Sequence, residues 1–330
     1  MKDNYEFLKS IGERRKIDRI LLVTDDIFAY QERLKHFFGY VPGEVFRETE
    51  ENIPDYVIAG ADGRFANLCS VIPLAEGREL RIVQPVEGRS PYRLCLEQYG
   101  PGVIGLRELV AREDWGKWLE HIEQQGISVL ARLGDYGLTL DLRSDLGCII
   151  ELLRADMEEE KGSSERRIGQ VCIVTGDMHK TAEDMCRLLG LGPWEIGHIN
   201  NLTSPTLNSS DYPAGSFPEA DFLAGIAFCG DLELELIQPL KGPLPYFAYL
   251  ERHGVGFQHI KETLSPERWD KTLADYAAKG IGVALGGKVG PCSWSNLATE
   301  HLLGSIYELG DGVLMTALPE GYGPYMHPEI

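Results

Sequence analysis

The sequence predicts an α+β protein built from two tandem copies of one domain, each with a mixed sheet that curls into an open trough. The first observation is an internal repeat, because ELRIVQPVEGRSPY (Glu79–Tyr92) and ELELIQPLKGPLPY (Glu233–Tyr246) are identical at 7 of 14 positions. The second is that the same offset pairs Trp115 with Trp269, so the repeat spans a domain and not a short solenoid unit. The third is the order of elements, which indicates two βαβββ modules in each copy.

Alternating apolar residues indicate the strands, and apolar residues three or four apart indicate the helices. In the first copy the predicted strands are Ile17–Thr24, Leu68–Ile72, Glu79–Val83, Leu138–Leu142 and Cys148–Leu153, and the helices are Asp26–Phe38, Pro91–Tyr99 and Glu113–Gln125. In the second copy the strands are Ile168–Thr175, Ala224–Cys229, Leu232–Ile237, Gly256–Lys261, Ser293–Leu297 and Ser305–Leu309, and the helices are Asp177–Leu189, Tyr246–His253 and Pro266–Lys279. Gln84-Pro85 and Gln238-Pro239 are expected to end their strands, since proline cannot donate a ladder hydrogen bond.

The predicted domain boundaries follow from composition. A charged leader (1–16) precedes domain 1 (17–153), and a polar linker (154–167) precedes domain 2 (168–319) and a Pro/Gly-rich tail (320–330). We expect the two domains to pack as a pseudo-dimer within the chain. A polar loop, Asn200–Phe217, is expected to cover a site.

Composition narrows the classes of function. The chain has 51 Asp+Glu against 32 Lys+Arg, a formal net charge of −19, which disfavours nucleic acid and anionic membrane partners. No signal peptide or membrane helix is indicated, so we expect a cytoplasmic protein. The seven cysteines are scattered in apolar runs and are interpreted as reduced core residues.

One stretch of the second copy contains residues that are typical metal ligands. In Asp231–Glu262, Glu233 and Glu235 alternate with leucines, and a following strand carries His259. A carboxylate on one strand and an imidazole on the next can bind one metal ion. The sequence therefore predicts a metal site in the second copy.

Three segments of the second copy resemble the vicinal oxygen chelate superfamily, which includes glyoxalase I, methylmalonyl-CoA epimerase, extradiol ring-cleaving dioxygenases and antibiotic-resistance proteins. The segments are IGQVCIVTGDMHKTAEDMCRLLGLGPWEI, LELELIQP with GVGFQHI, and TEHLLGSIYEL. The resemblance covers nearly the whole chain as two tandem copies. It implies the fold, whereas the reaction has to be argued from the site because one scaffold hosts several chemistries.

The resemblance implies four metal-ligand positions in domain 2: Gln170, Glu235, His259 and Glu308. In domain 1 the same positions hold Arg19, Arg81, Gly105 and Glu151. Guanidinium has no lone pair to offer, so that site is interpreted as degenerate. Ligands shared between the two domains remain an alternative.

Each of these residues also has a structural interpretation. Glu235 and Glu308 are alternatively solvent-facing strand residues, and His259 is alternatively a hydrogen-bonded core residue. Gln170 could instead hydrogen-bond a substrate. Arg19 and Arg81 are expected to pair with Glu151 rather than to bind an anionic substrate.

The function expected first is a metal-dependent isomerase or epimerase of glyoxalase type that acts on a small oxygenated substrate. Zn²⁺, Ni²⁺, Co²⁺ or Mn²⁺ would stabilise an enolate or enediolate, and Glu308 is the candidate base. The first alternative is an Fe(II) ring-cleaving dioxygenase or C–C lyase. The second is a non-catalytic protein that binds an aromatic or antibiotic molecule, and assembly into a homo-oligomer stays open.

Overall fold

A computed structural model describes residues 15–53, 55–60, 64–157, 162–311, 318 and 320–328. Contacts divide the chain into two compact units, with the main boundary between Arg166 and Arg167. Residues 187–190 and 229–231 group with the first unit. The predicted leader lies outside the described residues except for Arg15 and Lys16, and so does part of the predicted linker (158–161).

The first domain holds a nine-stranded sheet in the order β2-β4-β5-β1-β6-β9-β8-β7-β3. Its strands are β1 (Lys16–Val23), β2 (Phe46–Thr49), β3 (Tyr56–Ile58), β4 (Phe65–Pro73), β5 (Glu79–Gly88), β6 (Gly102–Val110), β7 (Ser128–Leu133), β8 (Gly137–Leu142) and β9 (Cys148–Arg154). Its α-helices are α1 (Ile27–Arg33), α2 (Pro91–Tyr99), α3 (Trp115–Gln125) and the short α4 (Arg143–Leu146). Helix α1 begins after Asp26, whose side chain accepts a hydrogen bond from the Ala29 backbone, and continues as a π-helical turn to Phe38.

The second domain repeats the plan in the order β15-β16-β17-β14-β10-β13-β12-β11-β18. Its strands are β10 (Ile168–Val174), β11 (Trp194–Asn200), β12 (Asp221–Cys229), β13 (Leu232–Lys241), β14 (Gly256–Thr263), β15 (Val283–Val289), β16 (Cys292–Leu297), β17 (Ile306–Gly310) and β18 (Tyr325–His327). Its α-helices are α5 (Met178–Leu189), α6 (Pro245–His253), α7 (Trp269–Ala278) and the short α8 (Glu300–Leu303).

Each sheet joins two βαβββ modules through an antiparallel pair of first strands, β1 with β6 and β10 with β14. Within a module the first strand is parallel to the last, as in β1 with β5 and β10 with β13. The predicted α+β class, with two modules and a curled mixed sheet in each domain, is confirmed. The first strands lie at the centre of each sheet and position the candidate site.

Two strand ends were predicted wrongly. Strand β5 continues through Pro85 to Gly88, and β13 continues through Pro239 to Lys241. Pro85 lies opposite Asn67 where the register between β4 and β5 shifts, so the missing N–H falls at an irregularity of the ladder. The predicted tail also contains a strand, since β18 pairs with β11.

Residues 201–220, which we call the strap, connect β11 to β12 and reach the opposite edge of the sheet. Asn208 exchanges two backbone hydrogen bonds with Gly286 of β15, 2.9 and 2.8 Å long, and the Ser210 N–H donates to the Val283 carbonyl at 2.8 Å. Leu207 and Phe217 are buried in the main apolar cluster of the second domain. The strap therefore crosses the trough, in the region where the sequence predicts a covering loop.

None of the helices in the described part of the chain is long and apolar enough to span a membrane.

Candidate metal centre

Three of the four predicted ligands lie together on the central strands of the second domain. Glu235 is on β13, His259 on β14 and Glu308 on β17. The Nε2 atom of His259 is 3.1 Å from Glu235 Oε2 and 3.1 Å from Glu308 Oε2. The sheet order brings a carboxylate-bearing strand close on each side of the imidazole.

Burial decides against the alternative that these carboxylates are solvent-facing. Glu235 and Glu308 are each 5% exposed, and His259 is 0% exposed. Two neighbouring carboxylates that are buried away from water need a cation, a shared proton or hydrogen-bond donors to compensate their charge.

Several polar atoms of this cluster lack hydrogen bonds. No described residue makes a hydrogen bond of acceptable geometry with Glu235 Oε2, His259 Nε2 or Gln170 Oε1, and all three atoms are buried. Glu235 Oε2 and His259 Nε2 are 3.1 Å apart and form an ion pair when the imidazole is protonated. Ligands about 2.1 Å from one ion, in neighbouring coordination positions, lie roughly 3 Å apart. The arrangement therefore fits a divalent cation.

The imidazole is oriented by its other nitrogen. His259 Nδ1 is 2.8 Å from Oε1 of the buried Gln258, which assigns a proton to Nδ1 and directs Nε2 toward the two carboxylates. Burial alone would lower the pKa of His259, but the charges of Glu308 and Glu235 outweigh it and raise that pKa to about 9. In the metal-free protein at neutral pH the imidazole is thus a cation that substitutes for the ion.

Gln170, the fourth predicted ligand, lies on β10 between the strands that carry Glu235 and His259. Its β10 position pairs with Glu233 and Lys261 across the two neighbouring strands, and its Nε2 donates to Glu233. Lys261 Nζ lies 3.1 Å from the same carboxylate. The network Lys261–Glu233–Gln170 fixes the amide so that Gln170 Oε1 is the atom left available.

We expect Lys261→Met to weaken metal binding about 10- to 100-fold, the range for loss of an outer-sphere partner. The substitution leaves Glu233 buried without its cation, which favours the protonated carboxyl and so weakens its charge-assisted hydrogen bond to Gln170. Isothermal titration with Co²⁺ measures the effect.

The control is Lys271→Met, which removes a lysine that also pairs with a carboxylate, Asp275, but at the surface. The double variant Lys261→Met/Glu233→Gln removes both charges and should recover part of the affinity. Full affinity in Lys261→Met would exclude the network as a positioning element.

The structure adds Cys172, which the sequence had placed in the core only. Its Sγ lies within 4.8 Å of ligand atoms of Glu235 and His259, and all three residues are buried. Burial, then the neighbouring charge of Glu235, raises the pKa of the thiol well above its usual value. Position 172 stands in an apolar run, and only the register with His259 reveals its place.

Asn296 and Tyr246 are further polar groups that the sequence did not single out. Asn296 Nδ2 donates to the Tyr246 hydroxyl at 3.0 Å, whereas no described residue hydrogen-bonds to the buried Asn296 Oδ1. Burial, then the charges of Glu235 and Glu308, raises the pKa of Tyr246 well above its usual value, so the phenol stays protonated. This pair can donate to or accept from an oxygenated substrate.

The strap packs against residues of this centre. Its Leu207 and Phe217 share one apolar cluster with Cys172, Tyr246 and Trp294. We expect Thr206→Ala/Ser210→Ala to raise the rate of metal removal by a chelator roughly tenfold. The variant removes two side-chain hydrogen bonds to the β15 backbone, each 2.8 Å long and worth about 1 kcal/mol.

Chelation kinetics followed by a colorimetric chelator measure that rate. Ser216→Ala is the control, because its hydroxyl bonds only within the strap, to Pro213. An unchanged removal rate in the double variant would show that metal leaves without displacement of the strap.

The corresponding positions of domain 1 hold no comparable ligand set. Arg81 pairs with Glu48 in place of the expected Glu151, and Arg19 pairs with Glu79. Glu151 accepts a hydrogen bond from Tyr92. The register places Gly105 opposite Leu21, as His259 is opposite Cys172, which supports the predicted equivalence of the two copies.

Comparisons with known proteins agree with this architecture. Residues 169–293 match the model of the Glyoxalase/Bleomycin resistance protein/Dioxygenase superfamily. A triple mutant of 4-hydroxymandelate synthase from Streptomyces coelicolor is 13% identical with a TM-score of 0.61, over 93% of this chain and 94% of that one. BphC, a halotolerant catechol dioxygenase, is 10% identical with a TM-score of 0.51, over 96% of this chain and 94% of that one. A search of curated proteins finds no match. The second domain thus matches this superfamily by its sequence, and the two-domain chain shares its fold with these solved structures.

Proposed function

We propose that the second domain binds one divalent metal ion and that the protein is an enzyme acting on a small oxygenated substrate. The observation that carries this proposal is the convergence of buried Glu235, His259 and Glu308, with Nε2 3.1 Å from both carboxylates. Gln170 and Cys172 are the adjacent candidates for a further donor. A bound ion would supply Lewis acidity toward the substrate oxygens.

The chain's own residues prepare the site. Gln258 sets the orientation of His259, and Glu233 with Lys261 sets the orientation of the Gln170 amide. Asn296 and Tyr246 would bind the substrate, and the strap would exclude water. The cytoplasmic location stays a prediction.

Dioxygenation with Fe(II) is the reaction class that we propose first. Its support is the fold shared with a catechol dioxygenase over nearly the full length of both chains. This reverses the order expected from the sequence, in which isomerisation came first. The shared fold supports a common scaffold, and the experiment below tests the reaction.

Isomerisation or epimerisation is the second candidate, and the donor set favours it. Non-haem iron oxygenases typically use two histidines and one carboxylate, whereas this centre offers one histidine and two carboxylates. Glu308 would remove a proton from the carbon next to the substrate carbonyl. Glu308→Gln, with no carboxylate to accept the proton, is then expected to lose activity by about 100-fold or more while retaining some metal.

One experiment separates these candidates. Protein purified without chelator is analysed for metals, and the stripped protein is reloaded anaerobically with Fe(II), Zn²⁺, Co²⁺, Ni²⁺ or Mn²⁺. Oxygen uptake with catechols, by the Fe(II) form alone, supports dioxygenation. Deuterium exchange from solvent into hydroxyketones, without oxygen, supports isomerisation. If the protein takes up no metal, both the dioxygenase and the isomerase proposals are excluded, and the remaining candidate is a non-catalytic binding protein.

A further inference from the structure

The trough of the first domain contains a cavity of about 840 Å³, formed entirely by residues of that unit. It occupies the place that corresponds to the metal centre of the second domain, and its lining includes Arg81 and Glu151, the counterparts of Glu235 and Glu308. A volume of this size suits a small organic molecule. The cavity has no part in the function proposed above.

Three arginines form the floor of this cavity on three adjacent strands, Arg81 on β5, Arg19 on β1 and Arg107 on β6. Each is less than a tenth exposed. Their carboxylate partners are Glu48, Glu79 and Asp18, respectively. Burial, then the charges of Arg81 and Arg107, lowers the pKa of Arg19 despite its pairing with Glu79. The floor thus concentrates three buried guanidinium groups, each paired with one carboxylate.

Arg81 has a donor that the protein leaves unused. Its Nη2 donates to Glu48, but no described residue accepts a hydrogen bond from its buried Nε. An oxygen of a bound anion could accept it, and guanidinium suits carboxylate geometry. Glu151, opposite Arg107 on β9, already accepts a hydrogen bond from Tyr92.

The lining also contains apolar and aromatic side chains, among them Phe46, Ile53, Tyr56, Leu133 and Leu138. Such walls suit a ring or a short branched chain. We propose that the first domain is a second binding site, which takes a small organic carboxylate with its carboxyl group at Arg81 and Arg19 and its apolar part against these walls.

Calorimetric titration of the full chain tests this proposal, with benzoate and 4-hydroxybenzoate as probes and benzamide as the neutral analogue. We expect saturable binding of a carboxylate probe at millimolar concentration or below, and binding of benzamide at least about tenfold weaker. Arg81→Met keeps the aliphatic stem and should weaken carboxylate binding about tenfold or more. Arg81→Lys keeps the charge without the Nε donor and should also bind more weakly.

Two controls locate the effect. Arg47→Met removes an exposed arginine of the same domain, paired with Glu87, and should leave binding unchanged. His259→Ala disables the proposed metal centre and should also leave carboxylate binding intact, so a failure of that centre is distinguishable. No saturable binding up to about 10 mM, equal binding of benzamide, or loss in His259→Ala but not in Arg81→Met would each overturn the proposal.

Discussion

Replacing His259 by alanine is expected to abolish stoichiometric metal binding and to destabilise the metal-free protein by about 3–5 kcal/mol. The imidazole lies between two buried carboxylates, Glu235 and Glu308, at 3.1 Å from each. Its removal takes away both a metal ligand and the cation that compensates them without metal. Elemental analysis and denaturant unfolding in EDTA measure the two effects.

His198→Ala is the matched control, since His198 on β11 also lies beside a carboxylate, Asp221 on β12, at 3.1 Å. Both of these side chains are only half-buried. It should retain full metal content and most of the stability. His259→Gln serves if the alanine variant fails to fold, because it retains most of the volume without the charge. One equivalent of metal in either His259 variant would place the metal elsewhere.

The metal-free protein is expected to lose about 3 kcal/mol of unfolding free energy between pH 6.5 and pH 9. The folded-state pKa of His259 is raised to about 9, above the value of about 6.5 expected in the unfolded chain. A raised pKa means that the folded state binds the proton more tightly. The contribution is therefore complete below pH 6.5 and is lost as the pH rises through 9.

Urea denaturation of the EDTA-treated protein across this pH range measures how the unfolding free energy changes with pH. His259→Gln should remove the part of that change that comes from His259. Metal binding should show the opposite trend and strengthen with pH, because the ion displaces the proton from Nε2. A wild-type slope equal to that of His259→Gln would contradict a charged imidazole in the metal-free centre.

Much of the fold could be predicted because local signals agree with it. The π-helical turn that follows α1 ends at Gly39 and helix α3 ends at Gly126, with φ of 70° and 64°, and the helical pattern was predicted to stop at both. The strand ends predicted at Pro85 and Pro239 were wrong. At Pro85 the reason is a ladder irregularity, which is a property of two strands together. Strand β18 has three residues and no periodicity to detect.

The candidate site was predictable in part: the ligands were expected, but the residues around them were not. Glu235, His259 and Glu308 were expected from the resemblance, and the structure brings them together. Cys172 and Asn296 could not be found, because their positions depend on strand register. The partners of Arg19 and Arg81 were missed for the same reason, since Glu79 and Glu48 lie on strands whose pairing the sequence does not define.

The hydrogen bonds at the two ends of the second sheet have a consequence for the handling of this protein. An open strand edge is a template for association with other chains. Here β11 is paired by β18, and β15 is bonded by the strap. Truncation before Tyr325 would uncover the edge at Trp194, Glu195 and Ile196 and favour aggregation.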